Sequence, residues 1–205
     1  MSARAGIRIL LVAAWIALSG AACDLFTPAT PEQPEGAVIV GNYTFPDSTL
    51  ATIARAIRAK GNSGGADAYR LALADTTADR KNFYAFFDPL TLARFQSVPN
   101  PWTRVEEQVF YGRFAAANGN LAYDMKWADG TQTHDPTDSL IVLDRKYQIF
   151  LRQTTGVVNV MAQGYAELHF WRSGNNWVLM RWFDREDSTA AQGVKSYGHL
   201  RLENQ

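Results

Sequence analysis

Apolar side chains recur with two different periods along the chain, and the change of period divides it into a helical part and a strand-rich part. Leu50, Ile53, Ala54 and Ile57 stand at i, i+3, i+4 and i+7, the spacing that gathers side chains on one face of a helix. Pro46, Asp47 and Ser48 supply a start with capping oxygens, and Gly61 supplies a stop. After the break Gly61-Asn62-Ser63-Gly64-Gly65, the residues Tyr69, Leu71 and Leu73 predict a second short helix. The aromatic run from Phe83 to Phe87, ended by Asp88-Pro89, predicts a short strand. Thr103-Arg104-Val105-Glu106 has the form of a capping box, in which threonine and glutamate oxygens each satisfy a free backbone N–H. A helix from 103 to about 117 is expected to follow.

From Leu121 the period is two. Leu121, Tyr123, Met125 and Trp127 alternate with Ala122, Asp124 and Lys126, and a polar loop from Ala128 to Ser139 leads to a long strand near 140–152. Thr154-Thr155-Gly156 turns the chain into a strand over about 157–172, and Ser173-Gly174-Asn175-Asn176 into another from Trp177 to Asp184. A polar loop, 185–193, precedes a last expected strand from Val194 to Leu202. Helices first and a meander afterwards predict an α+β domain, with N-terminal helices packed on one face of a curved antiparallel sheet.

Pairing around the turn at 173–176 puts Ala166, Leu168 and Phe170 on one face with Trp177, Leu179, Arg181 and Phe183, the face expected to meet the helices. Arg181 is out of place there, because an unpaired charge in an apolar interior costs several kcal/mol. It lines a pocket as an anion binder, or it marks a one-residue bulge or an arginine reaching to the rim; the opposite parity of Trp177 and Trp182 fits a bulge. Tyr69, Trp102 and Tyr111 from the helical layer would line the same mouth, or be simple core. The opposite face carries Tyr165, Glu167, His169 and Trp171 beside Val178, Met180, Trp182 and Asp184. Tyr165, His169, Trp171, Met180 and Trp182 are the candidate interface there, for a second copy or an envelope protein, unless the C-terminal segment or long side chains cover the stripe.

The first 37 residues have a separate character. Arg4 and Arg8 precede an apolar run from Ile9 to Leu18, too short to span a bilayer, which takes about 20 residues; small residues and then Cys23 follow. Leu18-Ser19-Gly20-Ala21-Ala22-Cys23 resembles a bacterial lipoprotein box, in which the thiol is lipidated and becomes the new N-terminus. An exported chain with one cysteine can form no internal disulfide, which favours the anchor over a plain secretory signal. Pro28, Pro31 and Pro34 then stiffen a solvated tether. The expected organisation is a signal peptide at 1–22, a lipidated cysteine and Pro-rich tether at 23–37, and one domain at 38–205. Its place is the cell envelope, with the membrane and leaflet left open.

Composition is that of a globular protein, 47% apolar and 20% charged. Loss of Arg4 and Arg8 from 20 basic against 20 acidic residues leaves a net charge of about −2, which argues against a nucleic-acid partner. There is no Gly-x-Ser-x-Gly elbow and no Gly-Lys-Thr/Ser phosphate loop, and no cofactor is expected. His134 with Asp135 and Asp138 reads as a polar hairpin tip, not a metal centre, and His199 as a solvated or cross-strand partner.

The series Gly164-x-Ala166-x-Leu168-x-Phe170, Gly174-Asn175-Asn176-Trp177-x-Leu179, Trp182, Asp184 and Ser196-Tyr197-Gly198-x-Leu200 resembles nuclear transport factor 2-like (SnoaL-like) lipoproteins of bacteria, over roughly 45–202. The resemblance implies a cone-shaped α+β domain with a pocket between sheet and helices. Some relatives use it for isomerisation or dehydration, and many only bind or assemble. The expected function is a membrane-tethered, non-catalytic ligand-binding or assembly domain. The alternative is a small-molecule isomerase or dehydratase with Asp184 or Tyr69 as base or polariser.

Overall fold

One seven-stranded sheet runs through the domain, described here from a computed structural model that covers residues 40–59, 64–95, 97–99, 101–117, 122–135, 137–152 and 158–205. The expected signal peptide, Cys23, the tether and the turn at Thr154-Thr155-Gly156 lie outside the described residues.

In chain order the helical part is α1 (Pro46–Ala59), α2 (Gly65–Leu71), a single turn α3 (Thr76–Asp79), β1 (Tyr84–Phe86), a second single turn α4 (Pro89–Leu92), β2 (Trp102–Thr103) and α5 (Arg104–Ala117). The strand part is β3 (Ala122–Trp127), β4 (Gln132–His134), β5 (Leu140–Arg152), β6 (Val158–Ser173) and β7 (Asn176–Glu186), closed by a helix, α6 (Tyr197–Glu203). The sheet order is β2-β1-β7-β6-β5-β3, with β4 also on β5. All pairs are antiparallel except β1 on β7, which is parallel, a departure from the wholly antiparallel expectation.

Local chemistry explains the helix ends. Ser48 Oγ accepts from Phe45 N at 2.9 Å ahead of α1, and Asp75 and Asp88 accept from Thr77 N and Leu90 N to cap α3 and α4. Thr103 caps α5 as expected: Val105 N donates to its hydroxyl at 3.2 Å, and Glu106 reaches back to accept from Thr103 N at 2.9 Å. α1 buries Leu50, Ile53, Ala56 and Ile57 against β3 and β7, and Thr49 Oγ1 ties it to the sheet by donating to Trp177 O at 2.8 Å.

Two expectations are corrected. The last segment is a helix, because Ser196 accepts from His199 N and caps it; Tyr197, Leu200 and Arg201 are then buried with helical spacing. A strand is the expectation for Val194 to Leu202, but a run this short fits either period, and in it only Lys195 makes an isolated bridge, to Ala162. The second correction concerns the faces of β7. His169 pairs with Arg181 but Phe170 with Leu179, so Met180 is an extra residue in a bulge. Beyond it the parity reverses. Trp182 and Asp184 point into the core beside Leu168 and Ala166, while Arg181 and Phe183 turn outward.

If the Thr103 cap holds α5 as described, Thr103→Ala should lower stability by about 1 kcal/mol and Thr103→Ser by only a few tenths. Urea midpoints at unchanged m-value measure both.

Candidate functional site

The space between helices and sheet is occupied by a polar network inside an aromatic shell. At its centre Glu107 of α5 meets Arg201 of α6, both with 0% exposure. Glu107 lies on the same stripe as Phe110, Tyr111 and Phe114, so the helix that buries those aromatics must bury the carboxylate too. Arg201 Nε lies 3.1 Å from Oε1 and 2.8 Å from Oε2, and Nη2 donates to Oε1 at 2.8 Å. Tyr69 Oη donates to Oε1 at 2.6 Å and Trp102 Nε1 to Oε2 at 2.7 Å. Since the Tyr69 proton points to Glu107, Tyr197 is the donor in the 3.0 Å contact between the two phenols. The guanidinium packs against two adjoining rings, its Cζ 4.2 Å from the Trp182 ring centre and 4.4 Å from that of Tyr197, with the two centres 5.1 Å apart.

A second carboxylate lies behind it. Asp184 Oδ1 accepts from Tyr147 Oη at 2.6 Å, and Oδ2 accepts from Gly198 N at 2.8 Å. The same Tyr147 hydroxyl accepts from Tyr197 N at 2.8 Å. Both approaches need glycine. A Cβ on Gly198 would stand 2.6 Å from Asp184 Oδ2, and one on Gly164 2.3 Å from Tyr147 Oη.

Burial sets the protonation. It pushes the Asp184 carboxyl above its usual range, against the opposing charge of Arg201 and the bonds from Tyr147 and Gly198. Burial and the neighbouring Glu107 charge drive Tyr69 well above an ordinary phenol, and burial with Asp184 does the same to Tyr147. Both phenols are therefore donors. Burial works against the charge on Arg201, but Glu107, Tyr69 and Tyr197 outweigh it and raise the guanidinium above its ordinary value.

Of the four expected pocket residues the structure brings three together. Tyr69 stacks on Tyr111 with centroids 4.5 Å apart, and Trp102 joins them through Glu107; Tyr111 Oη itself donates to Ala56 O at 2.7 Å. Arg181 is elsewhere, exposed on the outer face opposite His169. The charge that does enter the interior is Arg201, which reading α6 as a strand concealed.

The outer face also differs from expectation. Trp182 is removed from the candidate interface, being 0% exposed in the core. Tyr165 is 42% exposed, beneath Lys146 Nζ at 5.3 Å; Trp171 lies under Lys81 Nζ at 4.4 Å; Met180 is half-buried. His169 bonds Glu167 at 2.7 Å and leans on Phe183, which stacks on Phe86 at 4.6 Å. His134 contacts Gln132 and Asp138, and among the described residues no group of three His, Cys, Asp or Glu could hold a metal ion.

No protein-family model and no curated protein matches the chain. Solved structures share its fold. A protein of unknown function from Mycobacterium tuberculosis is similar at a TM-score of 0.52, 11% identical over 77% of this chain and 81% of that one. A nuclear transport factor 2-like protein with a cystatin-like fold from Novosphingobium aromaticivorans follows at 0.51, 11% identical over 71% and 81%. A naphthalene 1,2-dioxygenase chain with indole bound in the active site reaches 0.50, 10% identical over 72% and 79%. At such identity the likeness is one of fold alone: the chain has an α+β fold like that of nuclear transport factor 2-like, cystatin-like structures.

Glu107→Gln and Arg201→Met should each destabilise by about 3–5 kcal/mol, since each leaves a buried charge alone, and the double variant should lose less than their sum. Urea unfolding of the four chains measures the coupling. Protonation gives a second test. With its folded pKa raised above the ordinary 3.8, Asp184 holds more proton in the folded state, so its contribution to stability falls as pH rises from about 4. Asp187 is depressed by the Lys146 ammonium and Thr189, so its contribution is present above about pH 4 and lost below it. Asp184→Asn should abolish the first slope and keep the second in melting temperatures taken from pH 3 to 8.

Proposed function

We propose that this chain is a membrane-tethered lipoprotein of the bacterial cell envelope, whose folded domain binds or assembles and does not catalyse. One observation carries the reading: each oxygen of the buried carboxylates Glu107 and Asp184 is engaged by a donor of the chain itself, Arg201, Tyr69 and Trp102 on Glu107, Tyr147 and Gly198 on Asp184. An acid–base enzyme needs a group within reach of a substrate proton, and here both carboxylates are already taken up by partners within the fold. The isomerase or dehydratase alternative draws on the raised Asp184 carboxyl, the direction a general acid requires, and on the fold shared with enzyme chains. Against it, Tyr69 already donates to Glu107 and Asp184 has no oxygen free of a partner.

Tethering rests on the sequence around Cys23, and docking on the outer sheet face, where Tyr165 and Arg181 are exposed beside half-buried His169 and Phe183. Lys81 over Trp171 narrows that surface to the Tyr165 side, for a second copy or an envelope protein.

The full-length chain, expressed in a bacterial host, is expected to partition into the detergent phase, and Cys23→Ser to remain in the aqueous phase after export. Native mass spectrometry of the extracted chain should find a second copy or a protein partner, lost in Tyr165→Glu at unchanged melting temperature. A Cys23→Ser chain still in the detergent phase overturns the tether, and a monomer without partners overturns the assembly role. A co-purified small molecule that the chain converts would install the enzyme reading.

A further inference from the structure

We propose that the interior of this domain is a guanidinium-binding site in its own right, an aromatic and carboxylate cage that α6 fills with a tethered ligand, Arg201. The carboxylate and one ring face come from other elements. Glu107 from α5 gives two carboxylate oxygens, held in place by Tyr69 of α2 and Trp102 of β2, while Trp182 of β7 gives a ring face; the second ring, Tyr197, belongs to α6. This is the chemistry that selects a planar, delocalised cation over a compact ammonium: a two-pronged carboxylate together with an aromatic face.

The occupant is carried by a short helix, α6, of seven residues, Tyr197–Glu203. One flank of α6, at Leu200 and Glu203, borders an open groove of about 490 Å³ whose other wall is Phe114, Val160 and Met161. The fit of the resident is also incomplete. Arg201 Nη1 and Trp182 Nε1 are buried without a hydrogen-bond partner among the described residues. Fixed by the backbone of α6, the arginine spends Nε and Nη2 on Glu107 and leaves both N–H groups of Nη1 unmet. A free guanidinium has no such constraint and can turn its N–H groups to meet Glu107 and a small acceptor together. The outer face of the sheet plays no part in this site.

Arg201→Ala in the full-length chain removes the guanidinium from the cage, while Tyr147 and Asp184 still bind the first turn of α6 through Tyr197 N and Gly198 N. The variant should melt well below the native chain. n-Propylguanidinium at low millimolar concentration, below denaturing levels, should raise its melting temperature by roughly 3–5 °C at ten times its Kd, and leave the native chain unmoved. n-Butylammonium at the same concentration should do neither, and Glu107→Gln combined with Arg201→Ala should abolish the effect. Equal stabilisation of native chain and variant, equal stabilisation by the ammonium ion, or rescue that survives Glu107→Gln would each overturn the proposal. Should Arg201→Ala fail to fold, the readout becomes the yield of cooperatively melting protein on refolding with and without n-propylguanidinium. A higher yield with it, absent with the ammonium ion, supports the site; no gain overturns it.

Discussion

The ion pair between Glu107 and Arg201 is the constraint around which this domain is arranged. Neither charge reaches solvent, so each depends on the other, and the surrounding donors exist to satisfy what the pair leaves open. Tyr69 and Trp102 are fixed by their bonds to Glu107; Tyr197 is fixed by Tyr69; and the backbone of α6 is fixed in turn by Tyr147 and Asp184 from the sheet. Helical layer, sheet and C-terminus thereby meet at one point. Replacing such a pair with apolar side chains is often neutral for stability, so its value here is positional: it determines where α6 must sit.

The bulge at Met180 makes that arrangement possible. Without the extra residue, β7 would present Arg181 and Phe183 to the helices and turn Trp182 and Asp184 to the outside. With it, Trp177 and Leu179 stay inward before the bulge and Trp182 and Asp184 after it, so the indole and the carboxylate reach α6. Gly164, on β6 opposite Tyr147, supplies the matching clearance from the neighbouring strand.

Much of this was legible in the residues, and the misses have physical causes. α1 and α5 follow from their spacing and caps, β3 from its alternation, and β5, β6 and β7 from the polar turns that bound them. Glu107 could have been found, because it stands on the stripe of Phe110, Tyr111 and Phe114, where a charge needs a partner. Arg201 could not be found while 194–202 was read with period two; the cue was Ser196, whose hydroxyl caps a helix. The place of a bulge depends on cross-strand packing, which local pattern does not encode. β4 is exposed along its whole length and carries no periodicity to read.

The dependence on α6 also bears on how the fold forms. Arg201 and Glu107 are 94 positions apart, so the pair cannot close until the intervening strands have carried α6 back to α5. Before that, the aromatic stripe of α5 draws Glu107 toward an apolar interior that holds no cation for it, which opposes early burial of the helix. Docking of the helical layer and completion of the sheet are thereby bound into one cooperative step, and a folding intermediate with α5 buried and α6 unplaced is disfavoured.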